Sequence, residues 1–170
     1  MMKDKKILRL VQTALLAALT CVTTMVIQIP TGGGYLNPGD CFVQLSGWIL
    51  GPWYGFAAAG LGSMLADLFA GYAMYAPGTF LIKGLDAVIS ALLFRALASR
   101  HRLAGSILGA ATGGTVMALG YFGYEAVILG LGIAASANIP GNLAQALFGL
   151  VTATLLSEVL HGTGVWDKIH

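Results

Sequence analysis

The chain has 170 residues, 57% of them hydrophobic and only 9% charged, with a net charge of +2 and a mean hydropathy of +0.81. A soluble domain carries about 25% charged residues and has too much surface to cover with so few. The composition therefore excludes an ordinary cytosolic enzyme, a disordered chain and a nucleic-acid binder, and points to an integral membrane protein. The two cysteines, Cys21 and Cys41, lie in or beside apolar segments. Two do not make a disulfide framework, and neither has a Cys or His neighbour at metal-ligand spacing.

Lys3, Lys5, Lys6 and Arg9 precede an apolar run over 11–29. That run is longer than the roughly 7–15 apolar residues of a signal peptide, and further apolar segments follow, so it reads as a first membrane helix over 7–29. Ala14 and Ala18 stand four apart on it, and Thr13, Ala17 and Cys21 make a second small row. Small residues at this spacing let helices approach closely in lipid, so these rows suit either assembly or packing within the monomer. Pro30, three glycines and Pro38-Gly39 cannot continue a helix, and they make a loop over 31–39 that carries Tyr35 and Asn37. Asp40 then takes an N-cap position before a short second helix over 40–50. Gly51-Pro52 turns the chain into a third over 52–70. Residues 71–77 separate it from a fourth over 77–99. Arg100-His101-Arg102 separates that from a fifth over 103–130, and Asn138-Ile139-Pro140 opens a sixth over 140–161. A hydrocarbon core of ~30 Å needs about 20 helical residues. The apolar runs are continuous rather than alternating, so helices are favoured over a barrel. The predicted fold is a single domain over 1–170, an all-α integral membrane bundle of six transmembrane helices.

Orientation follows from the basic residues. With six spans, Lys3, Lys5, Lys6, Arg9, Arg95, Arg100, Arg102 and Lys168 fall on one side, leaving only Lys83 elsewhere. Both termini are then cytoplasmic. Trp48, Trp53 and Tyr54 cluster near the cytoplasmic ends of the second and third helices, where an aromatic belt would sit.

The remaining polar residues gather in the outer half. They are Gln44 of the second helix, Asp67 of the third, Lys83 and Asp86 of the fourth, Glu125 of the fifth, and Asn142 and Gln145 of the sixth. An ionisable group at membrane depth costs at least ~2.5–3.5 kcal/mol and so faces the bundle interior and finds a partner. Lys83 and Asp86, three apart, share a helix face, as do Asn142 and Gln145. The pattern describes a pocket open to the outside, with the 31–39 loop over it as a lid. Other roles stay open: a structural Lys83–Asp86 pair, Asp67 bracing the turn after the third helix, a solvated Glu125, interhelical hydrogen bonding by Asn142 and Gln145, and Asp40 as a cap. Tyr72, Tyr75, Tyr121 and Tyr124 suit an aromatic belt or stacking platforms equally. Glu158 and His161 read as solvated at the inner end.

No phosphate-binding Gly-x-x-x-x-Gly-Lys-Ser/Thr loop, His-Glu-x-x-His or Gly-x-Ser-x-Gly occurs in the sequence. His101, His161 and His170 all fall at the cytoplasmic face. Neither a catalytic set, a metal site nor a cofactor is expected, and energy for transport must come from partners or an ion gradient. One alternative is a stand-alone proton-coupled transporter of a small solute, using Asp86 or Glu125. An intramembrane enzyme using Asp67 and Glu125 is another.

Several segments resemble the substrate-binding S components of energy-coupling factor (ECF) transporters, which import vitamins and their precursors in prokaryotes. They are Ala14-Leu-Leu-Ala-Ala18, Leu36-Asn-Pro-Gly-Asp40, the run from Leu50-Gly-Pro-Trp-Tyr-Gly55 through Leu65-Ala-Asp-Leu-Phe-Ala-Gly-Tyr72, Ala76-Pro-Gly-Thr-Phe-Leu-Ile-Lys-Gly84, and Pro140-Gly-Asn-Leu-Ala-Gln145. The resemblance is nearest the riboflavin-type branch, which includes proposed hydroxymethylpyrimidine and pyridoxine carriers. It implies a six-helix binder in the cell membrane that joins a transmembrane coupling subunit and two cytosolic ATPases. It also implies that Ala14 and Ala18 contact the coupling subunit, and that a vitamin sits under the first loop near Tyr35–Asp40, Lys83, Asn142 and Gln145. The acidic Asp86 departs from the small or apolar residue expected after Lys83-Gly84, and would pair with Lys83 or mark a substrate with a basic group. The expected ligand is a small water-soluble vitamin or precursor, pyrimidine or pyridine in type.

Overall fold

The computed structural model describes residues 2–30 and 35–166. Residues 31–34 of the expected lid, together with Lys168 and His170, lie outside the described residues. The chain forms α1 (Met2–Val26), a pair of two-residue strands, β1 (Ile29–Pro30) and β2 (Tyr35–Leu36), that make a hairpin, α2 (Asp40–Leu50), α3 (Pro52–Phe69), α4 (Ala76–Gly123) and α5 (Ile139–Gly162). The strands are antiparallel, with Ile29 opposite Leu36 and Pro30 opposite Tyr35.

Among the described residues there are five α-helices where six were expected, because the fourth and fifth predicted segments run together as the two arms of one helix, broken at His101 where the sequence placed their separation. A straight α4 of 48 residues would be roughly 72 Å long, far more than a bilayer's ~30 Å. It breaks at His101, whose extended φ of −144° and ψ of 85° interrupt the helix between two arginines. The arms, 76–100 and 102–123, fold back on one another along a stripe of glycines. A side chain on Gly105 would meet the backbone of Phe94 and Ala98, one on Gly109 the Ser90 carbonyl, and one on Gly113 Asp86. Small residues at every fourth position bring the two backbones together.

Beyond Gly123 the helix widens into a π turn at Tyr124–Ile128, and a 3-10 helix, Gly132–Asn138, leads into α5. These take the place of the last predicted turns of the fifth segment. The bounds of α2 coincide with those expected, and Gly51 adopts the positive φ of 82° that lets the chain reverse before Pro52.

Short α2 is the central element and packs on all four other helices. Trp48 is completely buried. Its indole N–H donates to Ser90 Oγ at 2.8 Å, and it stacks on Phe94 at 5.2 Å. It is a core residue and not part of an aromatic belt. Trp53, by contrast, is 81% exposed, and the Arg9 guanidinium lies 5.9 Å from the Tyr54 ring.

The surface is apolar and the interior holds the charges. Leu81, Leu92, Leu119 and Leu155 point outward, while Asp40, Asp67, Lys83, Asp86 and Glu125 are buried. This reverses the order of a soluble domain and meets the demand that intramembrane charges face the bundle interior. Two stretches, Lys5–Val26 and Gly132–Gly162, are long and apolar enough to cross a membrane by length and composition. The half remote from the hairpin is not purely apolar: Ser90, Ser106, Thr154 and Ser157 are buried there. Such small hydroxyls fit between close-packed helices, as where Ser106 donates to the Arg102 carbonyl at 3.2 Å.

Candidate ligand site

A cavity of about 60 Å³ opens beneath the hairpin. Its roof is Tyr35 and Asn37. Asp67 comes from the end of α3, Lys83 from the first arm of α4, Glu125 from the π turn, and Asn142 and Gln145 from the first turns of α5. Seven of the ten candidate residues thus meet at one hollow, although they lie on five elements and span 110 positions of sequence.

Asp40, Gln44 and Asp86 do not line the cavity and form the layer beneath it. Lys83 is ion-paired with Asp40 and not with Asp86. Asp40 starts α2 but makes no cap, since α2 has no side-chain cap bond; its second carboxylate oxygen accepts from Gln145 Nε2 at 3.1 Å. A side chain on Gly149 would strike Asp40, so the glycine brings α5 close enough for that bond. Asp86 is fully buried and accepts from Gln44 Nε2 at 2.9 Å. Spacing along one helix put Lys83 and Asp86 on a shared face, but a partner across the bundle captured the ammonium. The Lys83 Nζ also lies 3.0 Å from Met117 S and 5.7 Å from the Tyr121 ring centre.

The roof is tied down at two points. The Tyr35 hydroxyl donates to Asp67 Oδ1 at 2.8 Å, and the Asn37 backbone N–H and side-chain amide both donate to Gln145 Oε1, at 3.1 and 3.3 Å. Burial, and next the Asp67 carboxylate, push the Tyr35 phenol well above its ordinary pKa, so it remains a donor. Glu125 is buried and accepts from Asn138 Nδ2 at 2.9 Å; it is not a solvated interface residue. The π turn aims it inward, as such irregular turns often do at functional sites.

The cavity also draws on residues that polarity patterning did not single out, namely Thr24, Ser63, Thr79 and Asn138. Single hydroxyls on apolar helices carry no signal in the sequence; Asn138 had one, standing beside Pro140 at a helix start. Tyr72, Tyr75 and Tyr121 line the cavity as well. Tyr124 turns away and donates to the Met74 carbonyl at 2.7 Å.

At the opposite end of the bundle, Arg95 covers the Gly51 turn and Arg102 pairs with Glu158 at 2.7 Å. Glu158 is therefore bonded and not merely solvated, and His161 stacks on Trp166 at 4.2 Å.

The profile of the family described as "ECF-type riboflavin transporter, S component" matches residues 4–161. The chain belongs to the ECF-type riboflavin transporter S component family. It is also 37% identical over 141 residues to an uncharacterized protein in the gap 3' region of Pyrococcus woesei, covering 82% of this chain and 92% of that one. A solved S component of a bacterial ECF transporter has the same fold, with a TM-score of 0.66 at 21% identity over 91% of this chain and 96% of that one. The protein is thus the substrate-binding S component of an ECF transporter, a membrane-embedded and non-catalytic subunit that depends on an energy-coupling module.

Proposed function

We propose that this S component captures a small, water-soluble vitamin or precursor with a single heteroaromatic ring, pyrimidine or pyridine in type, and hands it to ATP-driven partners for uptake. The observation that carries this reading is the cavity under the hairpin. It is walled by tyrosine rings and by the amides of Asn37, Asn142 and Gln145. Rings stack on flat ligands and amides fix their orientation. The family's description names riboflavin; the one-ring reading rests instead on the tyrosine rings and amides that wall the cavity.

The bundle crosses the cell membrane of a prokaryote six times, counting the two arms of α4 separately. The cavity faces outward and the termini lie in the cytoplasm. Arg9, Arg95, Arg100 and Arg102 support this, since all sit at the end away from the cavity. Partners are a transmembrane coupling subunit, which meets Ala14 and Ala18 on α1, and two cytosolic ATPases. Both alanines are exposed and free to serve such a contact.

Mass spectrometry of small molecules that co-purify with the detergent-extracted chain tests the ligand class, and a flavin as the sole ligand overturns it. Binding by the isolated chain is expected to need no partner, whereas uptake into cells needs the ATPases. Uptake by this chain alone that collapses with an uncoupler would instead establish the proton-coupled alternative.

A further inference from the structure

We infer that the cavity selects a cationic ligand, a heteroaromatic ring bearing an amine or other protonated nitrogen. The inference rests on the ligand-binding reading above and adds the charge the ligand must carry.

Three ionisable side chains with a formal charge line the cavity: Lys83, Asp67 and Glu125. The positive one is already spent, because the Lys83 ammonium is paired with Asp40 in the layer below. Among the described residues neither carboxylate has an ion-pair partner. Glu125 is held by the neutral groups of Asn138 and Tyr75, and Asp67 by the Tyr35 hydroxyl on Oδ1. The other oxygen, Asp67 Oδ2, is buried with no hydrogen-bond partner, on a residue only 7% exposed. The Thr79 hydroxyl is a near neighbour of this carboxylate and the Lys83 ammonium acts on it at longer range, but neither closes a hydrogen bond of good geometry to Oδ2. A buried acceptor left unmade is costly, and an N–H donor from a bound ligand would satisfy it.

The walls repeat the preference. Tyr35 and Tyr72 have ring centres 5.0 Å apart, tilted by 55°, and Tyr72 and Tyr75 6.3 Å apart at 66°, so three rings meet in tilted contacts at the cavity wall. Aromatic faces attract cations. Asp86, the acid whose position in sequence suggested a basic substrate, is bonded to Gln44 away from the cavity. Asp67 takes that part instead.

The test compares two pyridines that differ at one substituent. Pyridoxamine carries an ammonium at neutral pH where pyridoxine carries a hydroxyl. Titration calorimetry on the detergent-purified full chain at pH 7.5 is expected to show pyridoxamine binding at least about tenfold tighter than pyridoxine. Asp67→Asn is expected to erase that ratio, and Glu125→Gln to reduce it. Equal or tighter binding of pyridoxine, or tighter binding of riboflavin, overturns the charge selectivity while leaving a substrate-binding subunit. Failure of all three probes to bind the wild-type chain overturns both the one-ring reading and this inference. The wild-type comparison decides the matter even if a variant does not fold.

Discussion

Lys83 stands between the cavity and the layer beneath it, and its ion pair with Asp40 is buried from both sides. Removing one partner of such a pair leaves an uncompensated charge and costs about 3–5 kcal/mol, whereas neutralising both costs far less. Lys83→Met is therefore expected to lower the melting temperature of the detergent-purified protein sharply. Adding Asp40→Asn should restore most of the loss, since the two changes are coupled. A double variant no more stable than Lys83→Met would show that the pair does not hold the two helices. At this scale the sequence identified which residues must be inside but not whom they would touch. Lys83 and Asp86 are neighbours along a helix, yet the ammonium went to a residue 43 positions away. Partner choice among buried polar groups is decided by packing between helices, which one-dimensional spacing does not encode.

Each helix shows how close approach is written in small residues. On α1, Thr13, Thr20 and Cys21 are buried while Ala14 and Ala18 face outward, and a side chain on Gly62 of α3 would meet the Ala17 carbonyl. The two small rows of α1 thus have different neighbours. Gly62→Val is expected to pry α1 from α3 and cost about 1–3 kcal/mol by overpacking, read as a lower melting temperature. Ala14→Trp with Ala18→Trp should leave melting and ligand binding unchanged and abolish co-purification with the coupling subunit. Retention of the partner by that double variant would place the interface elsewhere. The ends of α2 were legible because glycine and proline punctuate them. The π turn at Tyr124–Ile128 was not, since one shifted ring of backbone hydrogen bonds leaves no mark in composition. Nor did Arg100-His101-Arg102 reveal that a one-residue break was enough to reverse the chain.

For the molecule as a whole, a sided distribution of charge makes a sided prediction. Ser136, near the cavity mouth, and Ser99, beside the His101 break, are both exposed, and the native cysteines Cys21 and Cys41 are buried. A membrane-impermeant maleimide should label Ser136→Cys in intact cells and reach Ser99→Cys only after permeabilisation. The reverse result would turn the cavity toward the cytoplasm and end the import reading. The bundle, its clustered polar residues and its basic end could be anticipated because lipid penalises every misplaced charge. The hairpin's anchorage could not, because it depends on pairings far apart in sequence, Tyr35 with Asp67 and Asn37 with Gln145. The Gln145 amide grips Asn37 above with its oxygen and Asp40 below with its nitrogen. The cover and the hidden salt link are therefore mechanically joined through one side chain: a change that displaces the glutamine disturbs both together.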